Sequence, residues 1–504
     1  MSGQPYERFI HKVKEIRTLN SVLGLLSWDQ ETQMPPKAIQ ARAEQVETLS
    51  ALVHGKLVSE EMGALLQEVS CPGSATLTAE AAANVREFRR YHERSRKMPE
   101  DLVRELSRTC ALAHEAWVKA RQSSAFDIYA PLLEKMVALK RREAEVLGYA
   151  GGHVYDPLLD QYEPMAKTAE IGPLLAGLRD RLVPLVRAIA NSPRRPRQNL
   201  FPEGSKFPRE AQREFGLAVV RDMGFDLEAG RLDTSHHPFC SSAAPTDVRL
   251  TTRYDEADPR SGFFSIIHEA GHGLYEQGFD PEHTGTPMSE AVSSGIHESQ
   301  SRLWENQVAR SRPFWERYYP KLREHFPAAL ERVTLDDFHF AVNEVRPSLI
   351  RVDSDELTYN LHILLRFEIE CDLLTGALAV SDLPKAWNAK TESLLGLTPP
   401  NDADGVLQDI HWSFGGFGYF PTYTLGNLYA AQFMATAHQE IPDLEARIRM
   451  GDLRTLREWL REKIHRHGMR WHAHELVVQV TGKPLGVEPF FDYLREKFAP
   501  LYGI

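Results

Sequence analysis

A His-Glu-x-x-His pattern at residues 268–272 combines residue types and a spacing that can hold a metal ion. On a helix, His268 and His272 lie one turn apart, so both imidazoles leave the same face. Two neutral imidazoles in this arrangement can bind one Zn²⁺ ion at ~2.1 Å each. Glu269 lies one step around the helix, where it is poorly placed as a ligand but well placed to take a proton from a water on the metal.

Two unrelated histidines on an ordinary helix would give the same pattern, and three features argue against that alternative. Ile266, Ile267 and Leu274 flank the pattern and predict a buried helix, where unpaired histidines would be costly. Gly271 lies inside the pattern, lowers helix stability and allows another group to approach closely. The third feature is an acidic residue farther along the chain.

Glu298 is that residue, and we predict that it is the third metal ligand. It follows His272 by 26 residues, which fits a helix, a turn and the start of a second helix. Glycines and prolines between residues 278 and 287 supply the turn, and we expect the second helix to begin at residues 289–291. Two histidines and one glutamate leave a fourth position open for water, as in catalytic zinc sites. The alternative for Glu298 is a solvated carboxylate on a helix surface.

The composition excludes several classes of function. The 504 residues carry a formal net charge of −11, so nothing indicates nucleic-acid binding. No stretch approaches the ~20 apolar residues of a membrane span. The four cysteines are scattered without a Cys-x-x-Cys pair, as expected for reduced thiols. Because residues 1–8 are polar and lack an apolar signal region, we predict a cytoplasmic protein.

Hydrophobic periodicity predicts a mainly helical chain. Apolar residues recur at three- and four-residue steps over four segments, which are residues 6–70, 78–148, 167–191 and 424–504. Charged runs such as residues 87–90 are interpreted as solvated helix faces. Residues 191–209 include a small basic cluster and predict an exposed connection between two lobes rather than a nucleic-acid site.

Residues 247–254 are the clearest strand in the sequence, because they alternate and are rich in Val, Thr and Tyr. They run just before the metal helix and follow a loop at residues 236–239. A short edge strand there could pair with an extended peptide substrate by β-augmentation, and a small structural hairpin is the alternative.

A segment rich in glycine and aromatic residues lies at residues 413–423. Its three glycines suggest a backbone that approaches a ligand closely. The glycines neither follow a strand nor open a helix, so a phosphate-binding loop is not expected.

Six motifs in order make this chain resemble the carboxypeptidase Taq family of zinc metallocarboxypeptidases, essentially from end to end. Two of them are the His-Glu-x-x-His pattern and the His-Glu-Ser-Gln that contains Glu298. The others are His-Pro-Phe at 237–239, Asp-x-Arg-x-Thr at 247–251, Ile-Arg-x-x-Ala-Asp at 350–355 and Gly-x-x-Gln-Asp-x-His-Trp at 405–412. One position departs from the family pattern, since Ser354 stands where the family has alanine.

The resemblance implies a mainly α fold, similar to neurolysin and angiotensin-converting enzyme, with a deep active-site groove. With the predicted strand, we expect one small β-sheet within a single metallocarboxypeptidase domain over residues 1–504. The resemblance also implies a homodimer that releases C-terminal amino acids one at a time with broad specificity. Its cofactor would be Zn²⁺, with Co²⁺ as a substitute, and Glu269 would be the catalytic base.

An enzyme of this kind must recognise the free C-terminal carboxylate of its substrate. An arginine suits this role because its guanidinium can pair with a carboxylate through two hydrogen bonds. Arg351 is the first candidate, with Asp353 and Asp355 to orient it, and Arg249 is the second. The alternative for Arg351 is a structural residue that the two aspartates neutralise.

His411 and Tyr423 are candidates for holding the oxyanion of the transition state. In the similar neurolysin-type enzymes a histidine followed twelve residues later by a tyrosine does this, and the spacing here is the same. Tyr419 is an alternative, and His237 of the His-Pro-Phe motif is a further candidate for substrate or transition-state binding. The competing interpretation of the tyrosines is core packing.

Two other functions stay open on the sequence. An endopeptidase or a dipeptidyl carboxypeptidase would use the same zinc chemistry and differ in what closes the groove beyond the scissile bond. A helical interaction scaffold with a structural zinc site is the other, and the intact ligands and Glu269 argue against it.

Overall fold

Helices make up most of the structure, as the periodicity predicts. The computed structural model describes residues 4–71 and 77–504, and this part of the chain contains twenty α-helices. Nine precede the sheet, namely α1 Gln4–Thr32, α2 Ile39–Leu57, α3 Glu60–Glu68, α4 Ala79–Lys97, α5 Glu100–Ser123, α6 Ala130–Leu147, α7 Asp156–Leu159, α8 Thr168–Asn191 and α9 Arg209–Met223. Eleven follow it, namely α10 Pro259–Gly278, α11 Ser294–Arg302, α12 Arg312–His325, α13 Leu335–Ala341, α14 Thr358–Thr375, α15 Leu383–Leu395, α16 Pro421–Glu440, α17 Leu444–Met450, α18 Arg454–Lys463, α19 Ala473–Thr481 and α20 Glu488–Tyr502. Among the described residues, no helix has the length and apolar character needed to cross a membrane.

Proline and glycine set two of these boundaries. Pro35 and Pro36 separate α1 from α2, because proline lacks the N–H that a continuing helix would need. Gly376 ends α14 in the left-handed conformation, with φ of 86°, and its N–H bonds back to the carbonyls of Asp372 and Leu373.

Three short strands form the one sheet of the described residues. They are β1 Gly230–Thr234, β2 Cys240–Ala244 and β3 Asp247–Thr252. The strand order is β1-β3-β2, with β3 parallel to β1 and antiparallel to β2. The fold is therefore mainly α with one small sheet, as predicted.

The predicted strand at residues 247–254 is confirmed as β3, but its suggested position at the edge of the sheet is wrong, and β2 and β3 form the small hairpin of the alternative interpretation. β3 lies in the centre of the sheet, so its backbone groups are already paired on both sides. β1 and β2 escaped prediction because their sequences, Gly-Arg-Leu-Asp-Thr and Cys-Ser-Ser-Ala-Ala, contain few residues that favour strands. The edge strand that borders the site described below is β2.

The large core of the protein surrounds α10. Ile266, Ile267 and Leu274 are buried in it, which confirms the predicted buried helix. A second, smaller core packs α1, α3 and α4 together, and its buried members are Phe9, Val13, Ile16, Met62, Leu65, Leu66, Val69, Val85 and Phe88. One side of α4 therefore packs in this smaller core, and its charged residues lie on the sides that face the rest of the molecule.

The predicted connection at 191–209 is confirmed for residues 192–208, which contain no helix or strand, while its two end residues belong to α8 and α9. The connection is fastened at several points. Arg195 donates to the carbonyls of Ile189 and Ala190, which end α8. Arg194 donates to the carbonyl of Pro500 in α20, and Arg197 to that of Arg332. The basic residues of this connection therefore serve as donors to backbone carbonyls. The division of the protein into two lobes stays a prediction.

The glycines of residues 413–423 approach protein atoms rather than leaving room for a ligand. A Cβ on Gly418 would lie 2.5 Å from the carbonyl of Leu158, and the φ of Gly418 is 92°. A Cβ on Gly416 would lie 2.7 Å from the ring of Phe414. The expectation of a close ligand contact is therefore wrong, because these glycines let the segment pack tightly against α7 and fold back on itself.

Candidate active site

The metal helix is built as the sequence predicts. α10 begins at Pro259, and the side chain of Asp258 caps it by accepting from the N–H of Arg260. The rings of His268 and His272 leave one face of the helix with centroids 4.9 Å apart. Both imidazoles therefore point toward the same space.

Two glycines allow α11 to lie unusually close to its neighbours. A Cβ on Gly271 of α10 would lie 2.6 Å from Cα of Ser301, and one on Gly426 of α16 would lie 2.6 Å from Cγ of Glu298. Only glycine permits this separation, so α11 is held between α10 and α16 through backbone contacts. The predicted close approach at Gly271 is confirmed, and the approaching group is the backbone of α11.

α11 begins later than predicted. Residues 287–289 form a single short helical turn, and Glu290 is extended. Ser293 caps α11, since its side chain accepts from the N–H of Ile296 at 2.9 Å. The expected start at residues 289–291 was wrong because Ser293 supplies the capping oxygen instead.

Glu298 turns one carboxylate oxygen toward both imidazoles. Its Oε2 lies 3.7 Å from Nε2 of His268 and 3.5 Å from Nε2 of His272. Two ligand atoms that each bind one zinc ion tetrahedrally at ~2.1 Å are ~3.4 Å apart. The three atoms lie within 4.8 Å of one another and fit a single ion.

A second layer of groups fixes the orientation of both imidazoles. Nδ1 of His268 donates to Oε2 of Glu305 at 2.9 Å, and Nδ1 of His272 donates to the carbonyl of His297 at 3.0 Å. The lone pair of each ring is then on Nε2, the nitrogen that faces Glu298. The ring of His297 stacks on His272 at 4.3 Å, and its Nε2 contacts Oε1 of Glu276 at 2.9 Å.

Arg302 links the two carboxylates of the site. Its Nε donates to Oε1 of Glu298 at 2.7 Å, and its Nη1 donates to Oε2 of Glu305 at 3.3 Å. Burial raises the pKa of Glu298, but Arg302 and the two histidines more than offset it, and the pKa stays well below its usual range. Glu298 is therefore ionised, as a metal ligand must be. Glu305 lies in a π-helical turn, Leu303–Val308, that continues α11.

Glu269 is the remaining acidic group of the site. It is buried, with 7% of its surface exposed. Burial raises its pKa to about 7, against the opposing effect of His268. A carboxylate with a pKa near neutrality can both accept and return a proton, which is the property of a general acid–base group.

A cavity of about 500 Å³ is lined by Glu269 and by all three candidate ligands. Its other walls come from α4, the turn after α7, the residues before and at the start of β2, the approach to α11 and the start of α16. The lining residues in these segments are Arg90, Tyr91, Gln161, Tyr162, Pro164, Pro238, Phe239, Cys240, Ala291, Val292, Ser293, Ser294, His297, Tyr419, Thr422 and Tyr423. Met469, from the turn between α18 and α19, completes the lining. The cavity can therefore bring a substrate to the base and the ligands together.

The structure brings two of the three predicted oxyanion donors to the cavity. Tyr419 and Tyr423 both line it, with ring centroids 5.3 Å apart. Burial raises the pKa of both hydroxyls, and the nearby charge of Glu298 adds to this, so they are protonated and can donate. His411 lies behind this wall, where its ring stacks on Tyr419 at 5.7 Å. Burial lowers the pKa of His411 to about 4, which keeps it neutral.

Arg351 is buried behind the same wall and does not line the cavity. Its Nη2 donates to Oδ1 of Asp409 at 2.6 Å, and its Nη1 donates to the hydroxyl of Tyr359 at 2.7 Å. The expectation that Asp353 and Asp355 orient it is wrong, because Asp409 does so. Asp355 instead accepts hydrogen bonds from backbone N–H groups at the start of α14.

The two remaining candidates lie at the sheet. Arg249 of β3 pairs with Asp247 at 2.8 Å, and its guanidinium lies 4.4 Å from the ring of Trp28 in α1. His237 is exposed, and its ring stacks on His236 at 4.7 Å. Neither side chain lines the cavity, although the residues directly after His237 do.

Several residues of the site were missed by the sequence interpretation. Arg90 belongs to the charged run at residues 87–90 that was interpreted as a solvated helix face, and Tyr91 directly follows it, but Glu87 of that run is 1% exposed and both Arg90 and Tyr91 line the cavity. Glu305 and Arg302 were not singled out. The available indication was that both follow Glu298 at helical spacing, which places them on the metal side of the helix.

Comparisons with known proteins agree with this geometry. A sequence model of the carboxypeptidase Taq (M32) metallopeptidase family matches residues 8–498. Thermostable carboxypeptidase 1 of Thermus thermophilus is 45% identical over 507 residues and covers 99% of each chain, and carboxypeptidase 1 of Bacillus subtilis is 38% identical over 503 residues and covers 100% of each. The crystal structure of an M32 carboxypeptidase from Deinococcus radiodurans has a TM-score of 0.96 at 41% identity, covering 99% of this chain and 100% of that one. The resemblance inferred from the six motifs is confirmed.

Proposed function

Because the chain belongs to the carboxypeptidase Taq (M32) family of metallopeptidases, and is thus a peptide hydrolase, we propose that it is a zinc-dependent carboxypeptidase. It releases C-terminal amino acids from peptides one at a time, with broad specificity. The observation that supports this most strongly is the convergence of three ligand atoms within 4.8 Å at a cavity that Glu269 also lines.

His268, His272 and Glu298 would hold the zinc ion, and Co²⁺ could substitute for it because the same nitrogen and oxygen donors suit both ions. When bound, zinc supplies a Lewis acid that makes a water ligand acidic near neutral pH. Glu305 keeps His268 in the tautomer that presents Nε2, and the carbonyl of His297 does the same for His272.

Glu269 is the acid–base group of the proposed reaction. As a carboxylate it accepts a proton from the attacking water, and as the acid it then protonates the leaving amine. Burial raises its pKa to about 7 in the absence of a metal, and a bound cation lowers this value, so at neutral pH Glu269 is ionised and able to accept the proton. Its low exposure also limits competition from bulk water.

The tyrosines of the cavity wall stabilise the transition state in this proposal. The Tyr423 hydroxyl donates to the oxyanion, with Tyr419 as the alternative donor. His411 supports Tyr419 by ring stacking, and Arg351 lies 5.3 Å from the ring of Tyr423. In this arrangement His411 and Arg351 do not contact the substrate. They position Tyr419 and Tyr423, which do.

The sheet side of the cavity contributes shape in the same proposal. His237 directly precedes Pro238 and Phe239, which line the cavity, and Arg249 holds β3 against α1 through Trp28. We also propose a homodimer and a cytoplasmic location, which rest on the family resemblance and on the four free cysteines. Size-exclusion chromatography with light scattering tests the dimer.

Metal analysis combined with a peptide digest tests the proposed function. The purified protein should contain one zinc per chain and release single residues in sequence from a free-acid peptide. A matched peptide with a C-terminal amide should be cut poorly, because it lacks the terminal charge. Equal cleavage of both peptides would favour an endopeptidase. Release of dipeptides would favour a dipeptidyl carboxypeptidase, and bound metal without hydrolysis would favour the interaction scaffold.

A further inference from the structure

The cavity contains one permanently charged cationic side chain. Among the described residues that line it, Arg90 is the only arginine or lysine. The two arginines that the sequence suggested for carboxylate binding, Arg351 and Arg249, lie outside the lining. Among the described lining residues, Arg90 is therefore the one arginine or lysine that a negatively charged group in the cavity can contact.

The guanidinium of Arg90 is held on two of its three nitrogens. Nε donates to Oε2 of Glu87 at 3.2 Å, and Nη1 donates to Oδ2 of Asp160 at 3.1 Å and to its carbonyl at 3.2 Å. The ring of Tyr91 lies 5.3 Å from the guanidinium carbon. These contacts fix the plane of the group before any ligand binds.

The third nitrogen is available. No described residue accepts a hydrogen bond from Nη2 of Arg90, and this atom is not buried. The two carboxylates that hold the side chain are shared with other donors, since Glu87 also binds Arg86 at 2.7 Å and Asp160 also accepts from the N–H of Met165 at 2.8 Å. Arg86 and Arg90 are therefore balanced by these two carboxylates, and what Arg90 offers a ligand is the N–H of Nη2.

We propose that Arg90 binds the C-terminal carboxylate of the peptide substrate and so determines the preference for free C-termini. This inference rests on the proposed carboxypeptidase function. A guanidinium with a free N–H offers a charge-assisted hydrogen bond to a carboxylate. A C-terminal amide is uncharged, so a hydrogen bond from Arg90 would stabilise its binding less.

The size of the cavity fits this assignment. A cavity of about 500 Å³ has the volume of an ordinary small-ligand site and holds only a short stretch of peptide. Arg90 and Glu269 line the same space, so a carboxylate on Arg90 leaves room for only a short segment of peptide between it and the base. Arg90 then also limits how far the chain extends beyond the scissile bond.

The test compares Arg90→Ala and Arg90→Lys with the wild type on a matched pair of free-acid and amidated peptides. In Arg90→Ala, kcat/KM for the free acid should fall by about 10- to 100-fold, the range for a lost hydrogen bond to a charged group. Cleavage of the amide should change little, so the free-acid preference shrinks. Arg90→Lys keeps the charge and should retain part of the preference. Zinc content is measured in each variant and should equal that of the wild type.

Arg94→Ala is the matched control. Arg94 lies one turn farther along α4, donates to the carbonyl of Pro157 and to Gln161, and pairs with Glu143, but it does not line the cavity. This variant should keep the free-acid preference. An equal loss in Arg94→Ala would mean that both arginines only hold the turn after α7, and this would overturn the inference.

An unchanged preference in Arg90→Ala would also overturn it. Failure of the proposed function looks different, because the wild-type protein itself would then cut free-acid and amidated peptides equally. That result is obtained before any variant is compared, so the two failures are distinguishable.

Discussion

Two buried clusters of arginine and carboxylate flank the cavity, and only one of them faces it. The metal-side cluster consists of Glu298, Arg302 and Glu305. The sealed cluster consists of Arg351, Arg366 and Asp409. Both contain tight pairs, since Arg302 lies 2.7 Å from Glu298, and Arg351 lies 2.6 Å from Asp409. Distance and burial alone therefore do not distinguish the functional cluster from the structural one.

The two clusters differ in whether the central carboxylate, Glu298 or Asp409, has an oxygen atom that no arginine occupies. In the sealed cluster Asp409 binds two guanidinium groups, so Arg351 and Arg366 occupy both of its oxygens. In the metal-side cluster Arg302 occupies Oε1 of Glu298, while Oε2 has no arginine partner. It accepts one hydrogen bond, from Oγ of Ser301 at 3.2 Å, and faces two imidazole nitrogens. An ionised carboxylate that keeps one oxygen free of arginine has lone pairs left to bind a metal, whereas one that pairs with two arginines supports the fold.

The largest effect is expected where this metal-facing oxygen of Glu298 is removed. Glu298→Ala should lose zinc, and activity should disappear with it, because two protein ligands hold the ion far more weakly than three. Metal content by mass spectrometry and hydrolysis of a free-acid peptide measure the two effects together.

Glu290→Ala is the control for that variant. Glu290 precedes α11 by four residues and pairs with Arg17 of α1 at 2.6 Å, so it is a nearby carboxylate in a structural pair. The Glu290→Ala variant should keep its zinc. Equal metal content in the two variants would show that Glu298 is not the ligand.

Glu269→Gln should keep the metal and lower kcat by ~10²–10⁴-fold, since glutamine has nearly the same shape but cannot accept a proton. The base must be ionised, so kcat/KM of the wild type should fall as the pH drops through the pKa of Glu269. Burial raises this pKa to about 7 without a metal, and a bound cation lowers it. The acid limb should therefore lie below pH 7 and be absent from the residual activity of the variant. Near-normal turnover would remove Glu269 from the mechanism.

The metal side of the site could be predicted from the sequence because its geometry is local. His268 and His272 are joined by one helical turn, and Gly271 between them indicated the close approach of another element. Glu298 required one further assumption, a helix–turn–helix interval. The start of α11 was still misplaced, because several serines and turn residues compete for the cap.

The opposite walls depend on contacts between residues far apart in the chain, and the sequence does not encode such contacts locally. Arg351 was expected to use the aspartates beside it, yet its partner is Asp409, 58 residues away. Arg90 was interpreted as part of a solvated face, yet α4 turns that face toward the cavity and the turn at Asp160. Charge spacing along a helix shows that residues share a face and does not show what that face meets.

Asp409→Ala tests the sealed cluster. It leaves Arg351 and Arg366 buried without their carboxylate, which should destabilise the fold by about 3–5 kcal/mol. Zinc affinity should change much less, because no member of this cluster contacts a metal ligand. Denaturant unfolding and metal titration of the same sample measure both quantities. If Asp409→Ala lost zinc while it kept its stability, the two clusters would have the opposite roles.

Glu305→Gln should give the smallest effect and separates orientation from ligation within the metal-side cluster. Glu305 accepts from Nδ1 of His268 at 2.9 Å and is not one of the three residues whose ligand atoms converge on the metal position. Loss of such a partner typically weakens metal binding by ~10–100-fold, because the ring is less firmly oriented and its nitrogen less basic. Competition with a chelator measures this affinity.

Glu276→Gln is the matched control for that last variant. Glu276 contacts Nε2 of His297 at 2.9 Å, and His297 stacks on His272 but is not a candidate ligand. The carbonyl of His297, which orients His272, is part of the backbone and stays in place. Glu276→Gln should therefore bind zinc as tightly as the wild type. A similar weakening in both variants would mean that buried charge around the site matters in general, and that the specific bond from Glu305 to His268 does not.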